Sequence, residues 1–166
     1  GIKFRSYNSA TATFAEELGM VPVQVEAAEL SQALATGVAE SFISSGSTGY
    51  DRKVWESLTH YYKVNAWLPR NYVIVNKGIW DGLGADTKAN VQKAADETGA
   101  ACSAKSAELA NWYFEQLSAN GMSVEDASSD FLAELEAIGT KMTADWLSAA
   151  GSDGQAIIDN YKAMAN

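Results

Sequence analysis

Four times between Ile2 and Ser44 the apolar residues change their spacing, and that alternation constrains the fold more than any other feature of the chain. From Ile2 to Tyr7 apolar and polar side chains alternate, as on a strand. NSATATFAEELG (8–19) then sets Ala10, Phe14 and Leu18 at helical spacing behind a capping Asn8 or Ser9, and stops at Gly19. MVPVQVE (20–26) alternates again, AAELSQALATG (27–37) puts Leu30, Ala33 and Leu34 on one helical face before Gly37, and VAESFIS (38–44) returns to a strand. Strand, helix, strand, helix, strand with short links predicts an α/β fold with a parallel sheet, because a parallel neighbour is reached only through a crossover.

The next stretch, SSGSTGYD (44–51), is the richest in Ser, Gly and Thr and is predicted to be a loop. DRKVWESL (51–58) follows as a short helix with Val54, Trp55 and Leu58 inward. HYYKVNAWLP (60–69) and NYVIVNK (71–77) are predicted strands, separated by a turn at Pro69 and Arg70. From Asp86 to about Asn120 there is no Pro and one Gly, and Val91, Ala94, Ala95, Thr98, Ala101, Cys102, Lys105, Leu109 and Trp112 fall at helical spacing. Such a helix runs about 50 Å, longer than a compact body of this size, whose radius of gyration is ~15 Å. It is expected to span two bodies, to bury Cys102 in its apolar stripe, and to bend or pack closely at Gly99. Two or three shorter helices are expected in the tail, with Phe131, Leu132, Leu135, Ile138, Met142 and Trp146 on one stripe.

Charge and composition exclude several functions. With 12 Lys and Arg against 21 Asp and Glu, the net charge is −9, the wrong sign for a partner that is held by displacing phosphate counterions, so no nucleic acid is expected. One Cys and one His cannot assemble a zinc cluster or a Cys/His dyad. No apolar run approaches the roughly eighteen residues of a membrane span, and no charged and apolar leader opens the chain. A soluble body is expected, with any export signal outside these residues.

The candidate chemistry gathers at the carboxyl ends of the first strands, where ligands of open α/β sheets bind. Arg5 ends the first strand beside the positive end of a helix, where a guanidinium fork suits a carboxylate; a surface salt bridge to Glu16, Glu26 or Glu29 is the competing reading. SGSTG lacks the Lys-Ser/Thr of a phosphate loop and does not fit a nucleophile elbow. Its hydroxyls, with Ser44 and Ser45, can line a cleft beyond the third strand. Trp67 and Asn71 flank the Pro-Arg turn; Trp67 either stacks on a ligand or packs in the core. A hydrolytic α/β enzyme using Ser47 or Thr48 is the alternative from another class, and it lacks a plausible general base. A helical interaction protein built on 86–120 is a third reading, weakened by the strand pattern of the first half.

GIKFRSYN, then VPVQVEAAELSQALATGVAE, then VWESLTHYYKVNAWLPRNYVIVNKGIWDGL, followed by the long helix, resemble the solute-binding proteins of tripartite ATP-independent periplasmic (TRAP) transporters, the DctP-like family. The similarity runs from Gly1 to about Leu117. It implies one lobe of a two-lobe periplasmic-binding-protein-like clamshell: residues 1–70 the α/β ligand-binding lobe, 71–84 a crossover strand and short helix returning to a missing N-terminal lobe, 85–120 the long connecting helix, and 121–166 helices packing on the lobe. Proteins of the family are periplasmic, capture a small organic acid between the lobes and deliver it to a sodium-coupled membrane permease, without catalysis. The family arginine that pairs with the ligand carboxylate matches Arg5, and Asn8 matches a further polar residue of that site. Where many members carry an acidic-Gly-Gln-Glu-Asn-Pro run, this chain has Glu40-Ser41-Phe42-Ile43-Ser44-Ser45. Ser44 replaces the ligand-touching Asn, which points from sialic acids towards a smaller or more aromatic acid. The carboxylate and Trp with which some members hold a metal are absent, so neither metal nor cofactor is expected. Trp67 and Asn71 fall where the family often has cleft residues. Without its other lobe the chain is expected to self-associate through exposed apolar surface.

Overall fold

The computed structural model describes residues 1–67 and 71–165. Its first sheet is the predicted parallel one: β1 (Lys3–Ser6) lies between β2 (Val21–Gln24) and β3 (Ser41–Phe42), with Arg5 opposite Val23 on one side and Phe42 on the other. The crossovers are α1 (Ser9–Glu17) and α2 (Leu30–Ala35), the latter entered through a 3-10 turn at Ala27–Glu29. Asn8 and Thr11 form a reciprocal capping box at the start of α1. At its end, Gly19 (φ 68°) takes the left-handed conformation that lets Met20 N–H reach Ala15 O at 2.9 Å.

Opposed strand residues share a face, so the sheet sorts its core in two. Phe4 packs with Phe14, Ala15 and Leu135 on one face, while Val23 and Phe42 join Leu30, Leu34, Val54, Leu117 and Met122 on the other. Full burial of such side chains contributes about 1.5–3 kcal/mol each.

The predicted loop at 44–51 is instead a helix, α3 (Gly46–Asp51), capped by Ser45. Its glycines are there for closeness: a Cβ on Gly46 would sit 3.1 Å from Tyr113 Cβ, and one on Gly49 would sit 3.4 Å from Leu117. The short helix expected over 51–58 shrinks to a 3-10 turn, Val54–Glu56, because Lys53 adopts a left-handed conformation (φ 49°). β4 (His60–Lys63) follows. The expected turn at Pro69 and Arg70 lies outside the described residues.

The predicted strand at 71–77 does not form. Residues 71–76 adopt no regular element, and Tyr72, Val73, Ile74 and Val75 are exposed, Val73 at 99%. A strand needs a partner for its backbone groups, and no described strand pairs with this one. α4 (Lys77–Gly82) then leads into α5 (Ala85–Ala119), the predicted long helix, straight through Gly99, around which a Cβ would meet nothing. Only Leu117 of α5 is buried, and Cys102 is exposed, contrary to expectation: the stripe is exposed through Cys102, and α5 meets a neighbour only further on, where Trp112 lies 5.0 Å from Tyr50 between ring centres.

After α5 comes a strand not predicted from the sequence, β5 (Ser123–Asp126), parallel to β4 in a second, two-stranded sheet. α6 (Ser129–Ala165) closes the chain and breaks at Gly151 (φ 63°), giving two helical pieces. Phe131, Ile138 and Met142 pack around Leu135 on the α1 face, where Lys141 also pairs with Glu17, whereas Leu132 and Trp146 of the predicted stripe are exposed. Among the described residues no helix is long and apolar enough to cross a membrane.

Candidate ligand-binding site

Period-two spacing sends Arg5 to the face opposite Phe4, and its position on the last turn of β1 brings it to the carboxyl ends of the strands. It is 3% exposed. Its Nε donates to the carbonyl of Val25, just past β2, at 2.8 Å, and its guanidinium carbon lies 5.1 Å from the centre of the Tyr7 ring. Burial lowers its pKa, while Tyr7 and then Glu26 act to raise it.

None of the three candidate salt-bridge partners, Glu16, Glu26 and Glu29, forms an ion pair with Arg5. No hydrogen bond among the described residues uses its terminal Nη groups. A guanidinium held by its Nε and its flat face, with the Nη pair free, has the geometry for a bidentate carboxylate. Tyr7, which sequence reasoning did not single out, lies just past β1 and two residues beyond Arg5, and supplies the ring over which the guanidinium sits.

The other sequence-predicted residues divide. Asn8 is exposed and its Oδ1 accepts from Thr11 N at 2.8 Å, so its oxygen serves the α1 cap. Ser44 is half-buried with no hydrogen bond from its hydroxyl among the described residues; Ser45 Oγ accepts from Thr48 N at 3.3 Å and lies 2.7 Å from Ser47 Oγ. Trp67 meets Phe14 edge-on at 6.3 Å between ring centres, which is the packing reading of that residue. Asn71 is exposed.

Ser44, Ser45, Trp67 and Tyr7 line one cavity of about 730 Å³, whereas Arg5, Asn8 and Asn71 lie outside its walls. His60 lies 2.8 Å from Thr59 Oγ1 through Nδ1 and stacks on Tyr62, and no hydrogen bond among the described residues joins it to Ser47 or Thr48. Among the described residues no three His, Cys, Asp or Glu side chains gather as metal ligands.

Residues 1–149 match the model of the family described as DctP, bacterial extracellular solute-binding protein, family 7. A curated relative, the C4-dicarboxylate-binding periplasmic protein DctP of Rhodobacter capsulatus, is 37% identical over 81 residues, which is 49% of this chain and 24% of that protein. Among solved structures, a marine metagenome TRAP solute-binding protein specific for pyroglutamate, crystallised with co-purified pyroglutamate, is 80% identical over 98% of this chain and 53% of its own, with a TM-score of 0.94. DctP6 of Bordetella pertussis, an extracytoplasmic solute receptor binding pyroglutamic acid, is 44% identical over 98% of this chain and 54% of its own, with a TM-score of 0.95. The chain thus spans about half the length of these solved relatives. Taken with the parallel sheet and the long helix, the match places the chain in the DctP family of bacterial extracellular solute-binding proteins.

Proposed function

We propose that this chain forms one lobe of a periplasmic TRAP-type solute receptor, that it captures a small monocarboxylate such as pyroglutamate through Arg5, and that it delivers the ligand to a sodium-coupled membrane permease without catalysing any reaction. The observation that carries this reading is Arg5 itself: a buried cation, oriented by Val25 O and the Tyr7 ring, with no protein anion paired to it. A carboxylate enclosed by a closing lobe must meet a fixed cation or lose its hydration uncompensated. Arg5 supplies that cation already desolvated and pointed, so little ordering remains to be done on binding. Pyroglutamate is favoured by the 80% identical relative that carries it, and the small hydroxyl at Ser44 leaves room for a compact acid. Closure over the ligand then presents a different surface to the permease, which is all a receptor of this kind has to do.

The test uses the protein restored to full length with the remaining portion of the marine relative. At one hundred times Kd a ligand adds about 2.7 kcal/mol of stability, so pyroglutamate should raise Tm clearly, and a panel of neutral analogues should not. Arg5→Ala should abolish the rise. A full rise in the Arg5→Ala protein, or no rise with any organic acid, would remove Arg5 or the whole assignment respectively.

A further inference from the structure

Tyr7, half-buried just past the carboxyl end of β1, carries a hydroxyl that no described residue uses. Three polar groups beside it are spent on the fold. Thr11 Oγ1 accepts from the backbone N–H of Tyr7 at 3.1 Å and of Asn8 at 3.2 Å, Asn8 Oδ1 accepts from Thr11 N, and Arg5 Nε donates to Val25 O. The Tyr7 hydroxyl and the Arg5 Nη groups are not so engaged. The backbone of Tyr7 is therefore held by the α1 cap while its side chain keeps a free donor. The face of its ring covers the guanidinium, 5.1 Å from ring centre to guanidinium carbon, and the rim of the same ring carries the hydroxyl. Of Arg5, Tyr7 and Asn8, only Tyr7 stands in the wall of the 730 Å³ cavity, and Arg5 is almost wholly buried. A solute entering from that side meets the phenol before the guanidinium.

We infer that Tyr7 is a ligand-binding residue whose hydroxyl donates to the same carboxylate that Arg5 pairs with, so that one side chain orients the cation and binds the anion. The inference rests on the reading of Arg5 given above. A carboxylate offers about four lone-pair sites, and a guanidinium fork takes two of them. Once closure removes water, the remaining sites are left unsatisfied unless the protein supplies a further donor. The phenol has the matching need, because an O–H enclosed with the ligand must find an acceptor. It also suits its place: an uncharged donor beside a cation adds to the hold on an anion without repelling that cation. The neutral amide of the same acid has an NH2 group in place of one oxygen, which sets a donor against a donor. The Tyr7 hydroxyl thus helps to select acid over amide.

Calorimetry of the protein restored to full length as above tests the assignment, with pyroglutamate and its neutral amide as ligands and with Tyr7→Phe, Arg5→Ala and the double variant. Tyr7→Phe keeps the ring over Arg5 and removes only the hydroxyl. It should weaken pyroglutamate binding roughly 10- to 100-fold, change amide binding little, and leave the ligand-free Tm where it was. In the Arg5→Ala background, loss of the hydroxyl should matter less, because the two groups share one carboxylate. Equal losses for acid and amide, losses that simply add in the double variant, or a lower ligand-free Tm in Tyr7→Phe would each overturn the inference, the last by assigning the hydroxyl to the fold. Wild-type binding by Tyr7→Phe beside a disabled Arg5→Ala protein would overturn it alone. Normal pyroglutamate binding by Arg5→Ala would remove the reading of Arg5 and this inference with it.

Discussion

Arg5, Tyr7 and Asn8 stand at the exit of one strand, and each does something different there. Arg5 offers charge, Tyr7 the flat face that fixes it, and Asn8 the cap that starts α1. Asn8→Ala should lower stability by about 1 kcal/mol, measured as a urea midpoint shift with unchanged slope, and Asn8→Asp should restore it. If Asn8 also touches the ligand, the full-length Asn8→Asp protein will be as stable as wild type yet bind the acid more weakly, because a carboxylate replaces its amide donor. Tyr61 carries a pH prediction. Burial raises its phenol pKa above the ordinary 10.0, so the folded chain keeps the proton after the unfolded chain has lost it. That contribution is complete below pH 10 and is lost as pH rises through the raised value. Tyr61→Phe should therefore flatten the alkaline fall in stability, measured as Tm between pH 8 and 11. The place of Arg5 near the end of β1 was legible in the sequence because the period-two alternation marks the strand. Cys102 was misread because periodicity tells which face of a helix would be covered and not whether anything covers it.

At the scale of elements, α3 and β5 show what composition hides. Ser-Gly-Ser-Thr-Gly looks like a loop by propensity, yet Gly46 and Gly49 are helical because α5 lies too close for side chains. Gly46→Ala forces its new methyl against Tyr113 Cβ, which cannot swing away, and should cost about 1–3 kcal/mol. Gly99→Ala meets nothing and should stabilise α5 by up to about 1 kcal/mol. Far-UV ellipticity during urea unfolding checks both, and equal effects from the two would refute the packing argument. β5 had a signal in Asn120-Gly121. Gly121 (φ 96°) ends α5 with Met122 N–H on Leu117 O at 3.1 Å, and both side chains join the same core cluster. After that stop only Met122 and Val124 alternate as apolar residues, too short a run to outweigh the helices around it. NYVIVNK had the opposite fate, since a strong strand propensity cannot make a strand without a neighbour.

Across the whole molecule, the first 44 residues announced their parallel sheet, and the long helix its length, because both depend on local periodicity. The pairing of β4 with β5 did not show, because it joins residues about 60 positions apart and no short window contains it. The family match reaches residue 149, beyond the similarity read to about Leu117, and takes in the part of α6 that packs on Phe14. The exposed run Tyr72 to Val75 and the stripe of α5 from Val91 to Cys102 leave apolar surface in the open. This chain alone should therefore associate in sedimentation velocity as its concentration rises, and the full-length protein should do so less. A strictly monomeric chain at all concentrations would contradict that. The pairing of Arg5 with a carboxylate is tested most directly by calorimetry of the full-length protein with pyroglutamate and with its neutral amide. Wild type should bind the acid far more tightly than the amide, and Arg5→Ala should lose about 2–5 kcal/mol of affinity for the acid alone, roughly 30-fold to several-thousand-fold, leaving acid and amide alike. Equal loss for both ligands, or an Arg5→Ala protein that still prefers the acid, would contradict it.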